Sequence, residues 1–520
     1  MLKFARRLPA IRWGGGVLLV WLVLVGVACS SPAGANQPTF APTAVAQVVT
    51  TTPTATATDL PTTFTPVPTV TNTPVPGATN TPIPSKTPVP TATPVPSATP
   101  TSRPQISNPL PTFLIPDPDL VVLSTAIPTP VATFEVPSNV TNVLLMGSDA
   151  PAGNEVSRTD SLIIVSIDRE NKTASMLSLP RDLYVYIPGW TMGRINTALP
   201  HGSASGYPTG AVGLLKDTIL YNFGIPIHYY GRVDFDGFKE IVDQVGGVDI
   251  AVSCRLEDWR LKSPDLDINE EDSYEWVALD PGIHHMDGFL ALWYARSRLT
   301  TSDFDRGRRQ QQLLRALLHK GLDLDLLPQV PALYDAFNDT VETDMDIGRI
   351  LQLAAIAPAV RENGIQNLYL VGDQLTPWVV PESGAQVQLP NWDKMQVTFR
   401  TLISPPALNQ ALRSPIYVEI INGTGNPEMA LLAADNLATY GFIPVIGEAE
   451  AAPVETTSLS YYGSNLKGAF DWFVSWVVNM NKSEIELVSD DAYAYDYRLV
   501  LGADYNPCIN QLYAPRVTVP

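Results

Sequence analysis

Cysteine is scarce: Cys29, Cys254 and Cys508 are the three in 520 residues. That number excludes a disulfide scaffold, and neither Cys254 nor Cys508 stands in a CxxC pair or near a histidine, which argues against zinc. The two either pair across the folded part in an oxidising exterior or remain buried thiols. Positive charge is also short, with 33 lysines and arginines against 52 acids and a formal net charge of −19. No basic helix of the kind that reads DNA is present, which argues against a cytoplasmic transcription regulator and a nucleic-acid partner. The turn Asn422-Gly423-Thr424-Gly425 precedes a helix but lacks the lysine and hydroxyl pair of a P-loop, so it reads as a turn rather than a nucleotide site.

Charge disappears altogether from Trp13 to Cys29, after a start that carries Lys3, Arg6, Arg7 and Arg12. This is the order of a membrane-targeting segment with a cytoplasmic beginning. As a helix it reaches about 25 Å, slightly short of a hydrocarbon core of roughly 30 Å. Residues 1–30 are therefore an N-terminal membrane anchor or a lipoprotein signal ending at Gly26-Val27-Ala28-Cys29, the latter without the usual leucine three positions before the cysteine. Either reading puts the folded domains on the extracytoplasmic side of the cell membrane. Residues 31–137 turn to Thr, Pro, Ala and Val in units such as TPVP, TNTP and TPIP. Proline fixes φ and removes backbone donors, so this stretch is expected to be a disordered, extended stalk that acts as a spacer.

From Asn142 onward, short apolar runs alternate with helical patterns. Residues 142–147 (NVLLMG), 161–167 (SLIIVSI) and 174–179 (ASMLSL) read as buried strands, the last two joined as a hairpin by the polar turn 168–173. Helices are expected at 211–221 and 238–245, followed by a strand at 248–252. The pattern indicates an α/β fold, a mixed β-sheet flanked by α-helices, over residues 138–405. A smaller α/β unit over 415–510 has strands at 416–421, 457–461 and 497–501 and a helix opened by Pro427.

The positive charge that exists is concentrated. Tyr294 to Gln312, YARSRLTTSDFDRGRRQQQ, holds five arginines, two aspartates and three glutamines in nineteen residues. Asp303 and Asp305 cannot neutralise Arg296, Arg298, Arg306, Arg308 and Arg309 locally, and guanidinium forks match phosphate oxygens, so an anion site is indicated. Asp149, Arg158, Asp160, Arg181 and Asp182 stand at the ends of expected strands, where α/β sheets build sites. Each alone serves as readily as a strand cap or surface pair. Together they supply carboxylates suited to magnesium and arginines suited to phosphate, the complement of phosphoryl transfer.

In order, NVLLMGSD, RTDSLIIVSID, LSLPRDLYV, GRINTA, VDFDGFKEIVDQVGGVDI, LDPGIHHMDGFLALWYARSR and DFDRGRRQQQ resemble the LytR-CpsA-Psr proteins across a core of 142–321. The unit 415–510 resembles the LytR C-terminal domain. The resemblance implies an extracytoplasmic transferase that moves a glycopolymer from a polyprenyl-pyrophosphate carrier to peptidoglycan, with Mg2+. It implies that Asp149 and Asp160 organise the metal, that Arg158, Arg181, Arg296 and Arg298 bind the pyrophosphate, and that Asp303, Arg306 and Gln310 act at the reacting end, Asp303 as base. An apolar tunnel for the lipid is expected along the helices 211–221 and 238–245. Arg194 stands in GRIN where a lysine is common, keeping the charge. A polyprenyl-pyrophosphate hydrolase and a non-catalytic stalked binding protein of the cell envelope are the alternatives.

Two further segments carry expectations. Residues 256–280 hold nine acids and resemble a calcium loop at Asp265, Asp267 and Asn269, but lack its glycine and terminal glutamate, so a solvated acidic loop is expected. His284 and His285 are expected at a turn rather than at a metal.

Overall fold

A computed structural model describes residues 126–149, 159–337, 340–403, 416–462, 470–490 and 492–509. The expected anchor, the stalk up to residue 125 and Arg158 lie outside the described residues; residues 126–137, expected in the stalk, are instead packed on the domain, with Val131 buried and its N–H donating to the Tyr221 carbonyl at 3.0 Å and Phe134 packed on the core. The central sheet uses β1 (Val140–Ser148), β2 (Thr159–Asp168), β3 (Thr173–Ser178), β4 (Tyr229–Asp234), β5 (Val341–Thr343) and β6 (Ile365–Tyr369), in the spatial order β5-β4-β1-β2-β3-β6. β2 pairs antiparallel with β1 and β3, whereas β4 and β6 add parallel strands, so the sheet is mixed as expected. The β2–β3 turn is closed by Asp168, which accepts from the amides of Glu170 and Asn171 at 2.9 and 3.0 Å.

Both faces of the sheet are covered, which explains why β1 reads as a continuous apolar run. Alternate residues separate two cores. Val143, Leu145, Ile163 and Val165 pack on one face with Ile241, Val242, Leu313 and Leu317. Leu144, Met146, Leu162 and Ile164 pack on the other with Leu215, Ile219 and Phe399. Helix α1 (Gly210–Phe223) thus lies on the opposite face from α2 (Phe235–Gln244). This corrects the shared tunnel: a sheet of buried side chains separates the two helices, so they cannot line one channel together.

Helix α3 (Gly288–Arg296) starts at Asp287, whose side chain accepts from Leu290 N. A Cβ at Gly288 would stand 2.2 Å from the Lys239 carbonyl oxygen, so glycine is what lets α3 approach α2. Helix α4 (Asp303–Asp323) starts with a capping box in which Ser302 and Asp305 each bond the other's backbone N–H. A later helix, α5 (Trp392–Ile403), sends Met395, Phe399 and Leu402 into the same core as α1.

The acidic segment 256–280 is a hairpin in which Leu256–Leu261 pairs antiparallel with Tyr274–Leu279, and Asp265, Asp267 and Asn269 lie in the exposed loop that joins the strands, as the solvated-loop expectation has it. Its many exposed acids hide the two-residue period in the sequence. His284 and His285 sit not in a turn but in the strand Gly282–Met286, where His285 Nδ1 lies 2.8 Å from Asp249 on the neighbouring strand.

Toward the C-terminus, five strands form a second sheet with Tyr417–Asn422 at its interior, and α6 (Glu428–Thr439) packs against the larger part. Cys254 and Cys508 form a disulfide, resolving the two alternatives in favour of pairing. Beside it, the Asp435 carboxylate accepts from Gln312 Nε2 and Arg315 Nη2, each at 2.8 Å, while Arg315 Nη1 reaches Thr439 Oγ1 at 2.8 Å. Arg315 is buried, so removing its partner leaves a desolvated charge. Asp435→Ala is expected to lower the unfolding free energy by about 2 kcal/mol. Urea denaturation of both proteins measures this, and unchanged stability would show that the clamp does not hold the C-terminal unit.

Candidate active site

The site begins with an irregularity in register. Gly147 faces Ser161 and Ser148 faces Thr159, so Asp160 is left as the extra residue of a bulge between β1 and β2. Such a bulge re-aims a side chain at the end of a strand pair. Asp160 meets Arg181, which follows β3, at 2.5 Å. Asp149 directly follows β1 and is exposed. Ser148 accepts from Arg232 Nη2 at 3.3 Å, and Arg232, only 2% exposed, also pairs with Glu342 at 3.3 Å. The sequence reading missed Arg232; its signal is a lone arginine inside the otherwise uncharged run 229–233.

Helix α4 supplies the other wall. Asp303, Arg306 and Gln310 share one face because they are three and four residues apart. They line a cleft with Asp160, Ser161, Ser178, Gly307 and Tyr369. Arg306 Nη2 bonds Asp303 at 3.0 Å and lies 3.4 Å from the Asp160 carbonyl oxygen. Burial pulls the Arg306 guanidinium below its usual range, Asp303 pulls it back up, and neighbouring Arg181 and Arg298 oppose its charge again. Gln310 Nε2 donates to the Ala295 carbonyl at 3.2 Å. The fold therefore gathers Asp160, Arg181, Arg298, Asp303, Arg306 and Gln310. Arg296 lies with its guanidinium 4.2 Å from the centre of the ring of Phe235, which follows the end of β4 beside Ser148.

The remaining arginines of the run face elsewhere. Arg309 is buried and donates to the carbonyls of Tyr294 (2.8 Å) and Ser297 and to Thr301 Oγ1 (3.2 Å). Burial draws its guanidinium down to about 10. Arg308 lines a cavity of about 300 Å³ between α4 and the C-terminal unit, beside the disulfide. Arg194 donates to the Gln386 carbonyl at 2.8 Å.

Asp182 is a neighbour that sequence reasoning noted without a role. Burial raises its carboxyl, and Asp303 nearby raises it further, against Arg194 and Arg181. A raised folded-state value means that the ionised form costs stability, a cost absent in acid and growing as pH rises through the carboxylate range. Asp182→Asn is expected to be more stable than the parent at pH 7, with the gap closing as pH falls below the carboxylate range. Thermal unfolding across that range tests the sign, and a gap that widens in acid would contradict it.

The model of the LytR_cpsA_psr family matches residues 125–402. The polyisoprenyl-teichoic acid–peptidoglycan teichoic acid transferase TagV of Bacillus subtilis (strain 168) is 33% identical over 240 residues, 45% of this chain and 57% of that protein. TagT, of the same name and organism, is 28% identical over 240 residues, 45% of this chain and 69% of TagT. The crystal structure of B. subtilis TagV aligns at a TM-score of 0.41 and 28% identity, over 52% of this chain and 98% of that one. This chain spans less than two thirds of TagV's length. By the match across 125–402, which carries every described residue of the cleft, the chain belongs to the LytR_cpsA_psr family.

Proposed function

We propose that the protein is a glycopolymer phosphotransferase that moves a polymer from a polyprenyl-pyrophosphate carrier to a peptidoglycan hydroxyl. The observation that carries this reading is the buried Arg306 guanidinium, held between Asp303 and the Asp160 carbonyl where three strand ends meet. The names of TagV and TagT as teichoic acid transferases support the substrate classes. Anchoring by the segment Trp13 to Cys29, with the folded parts outside the membrane, and a LytR C-terminal domain over 415–510 belong to the same proposal.

In this reading Arg181, Arg298 and Arg306 bind the pyrophosphate oxygens, and Arg158 and Arg296 extend the cradle. Asp303 takes the proton of the acceptor hydroxyl, whose oxygen attacks the phosphorus nearest the glycopolymer. The bond from that phosphorus to the bridging oxygen breaks, and polyprenyl phosphate leaves with the bridging oxygen. Arg306 holds Asp303 and meets the charge that moves toward the leaving group. Gln310, fixed by Ala295, orients the acceptor.

Asp149 and Asp160 fit Mg2+ by donor type: hard carboxylate oxygens at neighbouring strand ends, sufficient for an ion that takes one or two carboxylates plus phosphate oxygens and water. When bound, the ion would neutralise charge on the pyrophosphate. Arg181 already holds Asp160 Oδ1, so a cation and an arginine would share that carboxylate.

A lipid-linked glycopolymer incubated with and without peptidoglycan tests the reading. Covalent attachment is expected only with the acceptor, and Arg306→Gln is expected to lower kcat by about 10³. Its unfolding midpoint should stay near the parent's, since the change removes a charge that burial already disfavours. Release of polyprenyl phosphate at the same rate without acceptor would replace transfer by hydrolysis.

A further inference from the structure

The hairpin 256–279 exposes two indoles on its outer face. Trp259 and Trp276 are directly opposed across the strands, 55% and 47% exposed, with ring centres 5.4 Å apart and planes at 80°. They form an open corner. Large apolar side chains exposed together mark a surface that something covers.

The inner face of the same hairpin fixes that corner beside the arginine loop. Asp258 accepts from Ser297 Oγ at 2.7 Å, Arg298 N at 2.9 Å and Leu299 N at 3.1 Å. Trp293 Nε1 donates to the Trp259 carbonyl at 3.0 Å, and Arg260 lies 5.8 Å from the centre of the Phe289 ring. The aromatic corner is thus one residue along the chain from a carboxylate that holds the backbone of Arg298.

Charge selects the occupant. Nine acids lie between Leu256 and Asp280, so this arm repels an anionic polymer and an anionic lipid surface. The pyranose ring of a neutral glycan presents C–H groups to an indole face and hydroxyl donors to carboxylates, which is what the corner and its rim offer. We propose that the hairpin is an acceptor-side subsite, in which Trp259 and Trp276 seat a neutral sugar ring of a glycan strand. This inference rests on the transferase reading and names its acceptor surface. Donor and acceptor are sorted by sign: arginines draw the pyrophosphate, while the acidic arm leaves room for the uncharged strand.

The test uses the full-length protein in detergent and chitotetraose, a neutral N-acetylglucosamine oligomer, measured by calorimetry. The parent is expected to bind, Trp259→Ala/Trp276→Ala to bind about tenfold more weakly, and Trp259→Phe/Trp276→Phe, which keeps aromatic faces, to recover most of the loss. In the transfer assay the double alanine variant should raise KM for peptidoglycan while KM for the lipid-linked donor stays the same. No binding by the parent, equal binding by the alanine variant, or Trp-dependent binding to phosphatidylglycerol vesicles instead of the oligomer overturns the proposal. If chitotetraose binding depends on the indoles but no transfer occurs, the subsite stands and the transferase reading falls.

Discussion

Much of the site hangs on the buried guanidinium of Arg309. It reaches from α4 to the carbonyls of Tyr294 and Ser297, at the end of α3, and to Thr301 beyond. Carbonyls at a helix C-terminus lack intrahelical donors and carry partial negative charge, so an arginine there satisfies them and complements the dipole. The loop so fixed carries Arg298, and its backbone also binds Asp258 of the hairpin. One cation that touches no proposed substrate group therefore sets the relation between the helix bearing Asp303 and Arg306, the arginine loop and the aromatic arm.

Helix α4 is correspondingly a shared wall. Asp303, Arg306 and Gln310 face the cleft, Gln311 donates to Ser178 at 2.8 Å under the sheet end, and Gln312 and Arg315 face the C-terminal unit. Movement of α6 against α4 would have to strain the same helix that carries the proposed base. The C-terminal unit is in this sense mechanically part of the site, although none of its described residues lines the cleft.

What could be read from the sequence follows from burial. β1, β2 and β3 are covered on both faces and appear as plain apolar runs, and the shared face of Asp303, Arg306 and Gln310 follows from helical spacing. The edge strand β6, IQNLY, and the hairpin 256–279 are polar or exposed, so period and composition conceal them. Arg308 and Arg306 look alike in the sequence, yet two residues of helix turn them about 200° apart. The pairing of Cys254 with Cys508 depends on tertiary contacts that no local pattern encodes. The bulge that isolates Asp160 is a register event between two strands, likewise invisible along one chain.

The disulfide has a topological consequence. It closes a ring of chain from Cys254 to Cys508, a separation of 254 positions that includes the arginine loop, all of α4 and α6. A single proteolytic cut anywhere inside that ring yields two pieces that remain covalently joined. The helix carrying Asp303 and the unit that braces it would then stay together after a nick that would separate them in an unbridged chain.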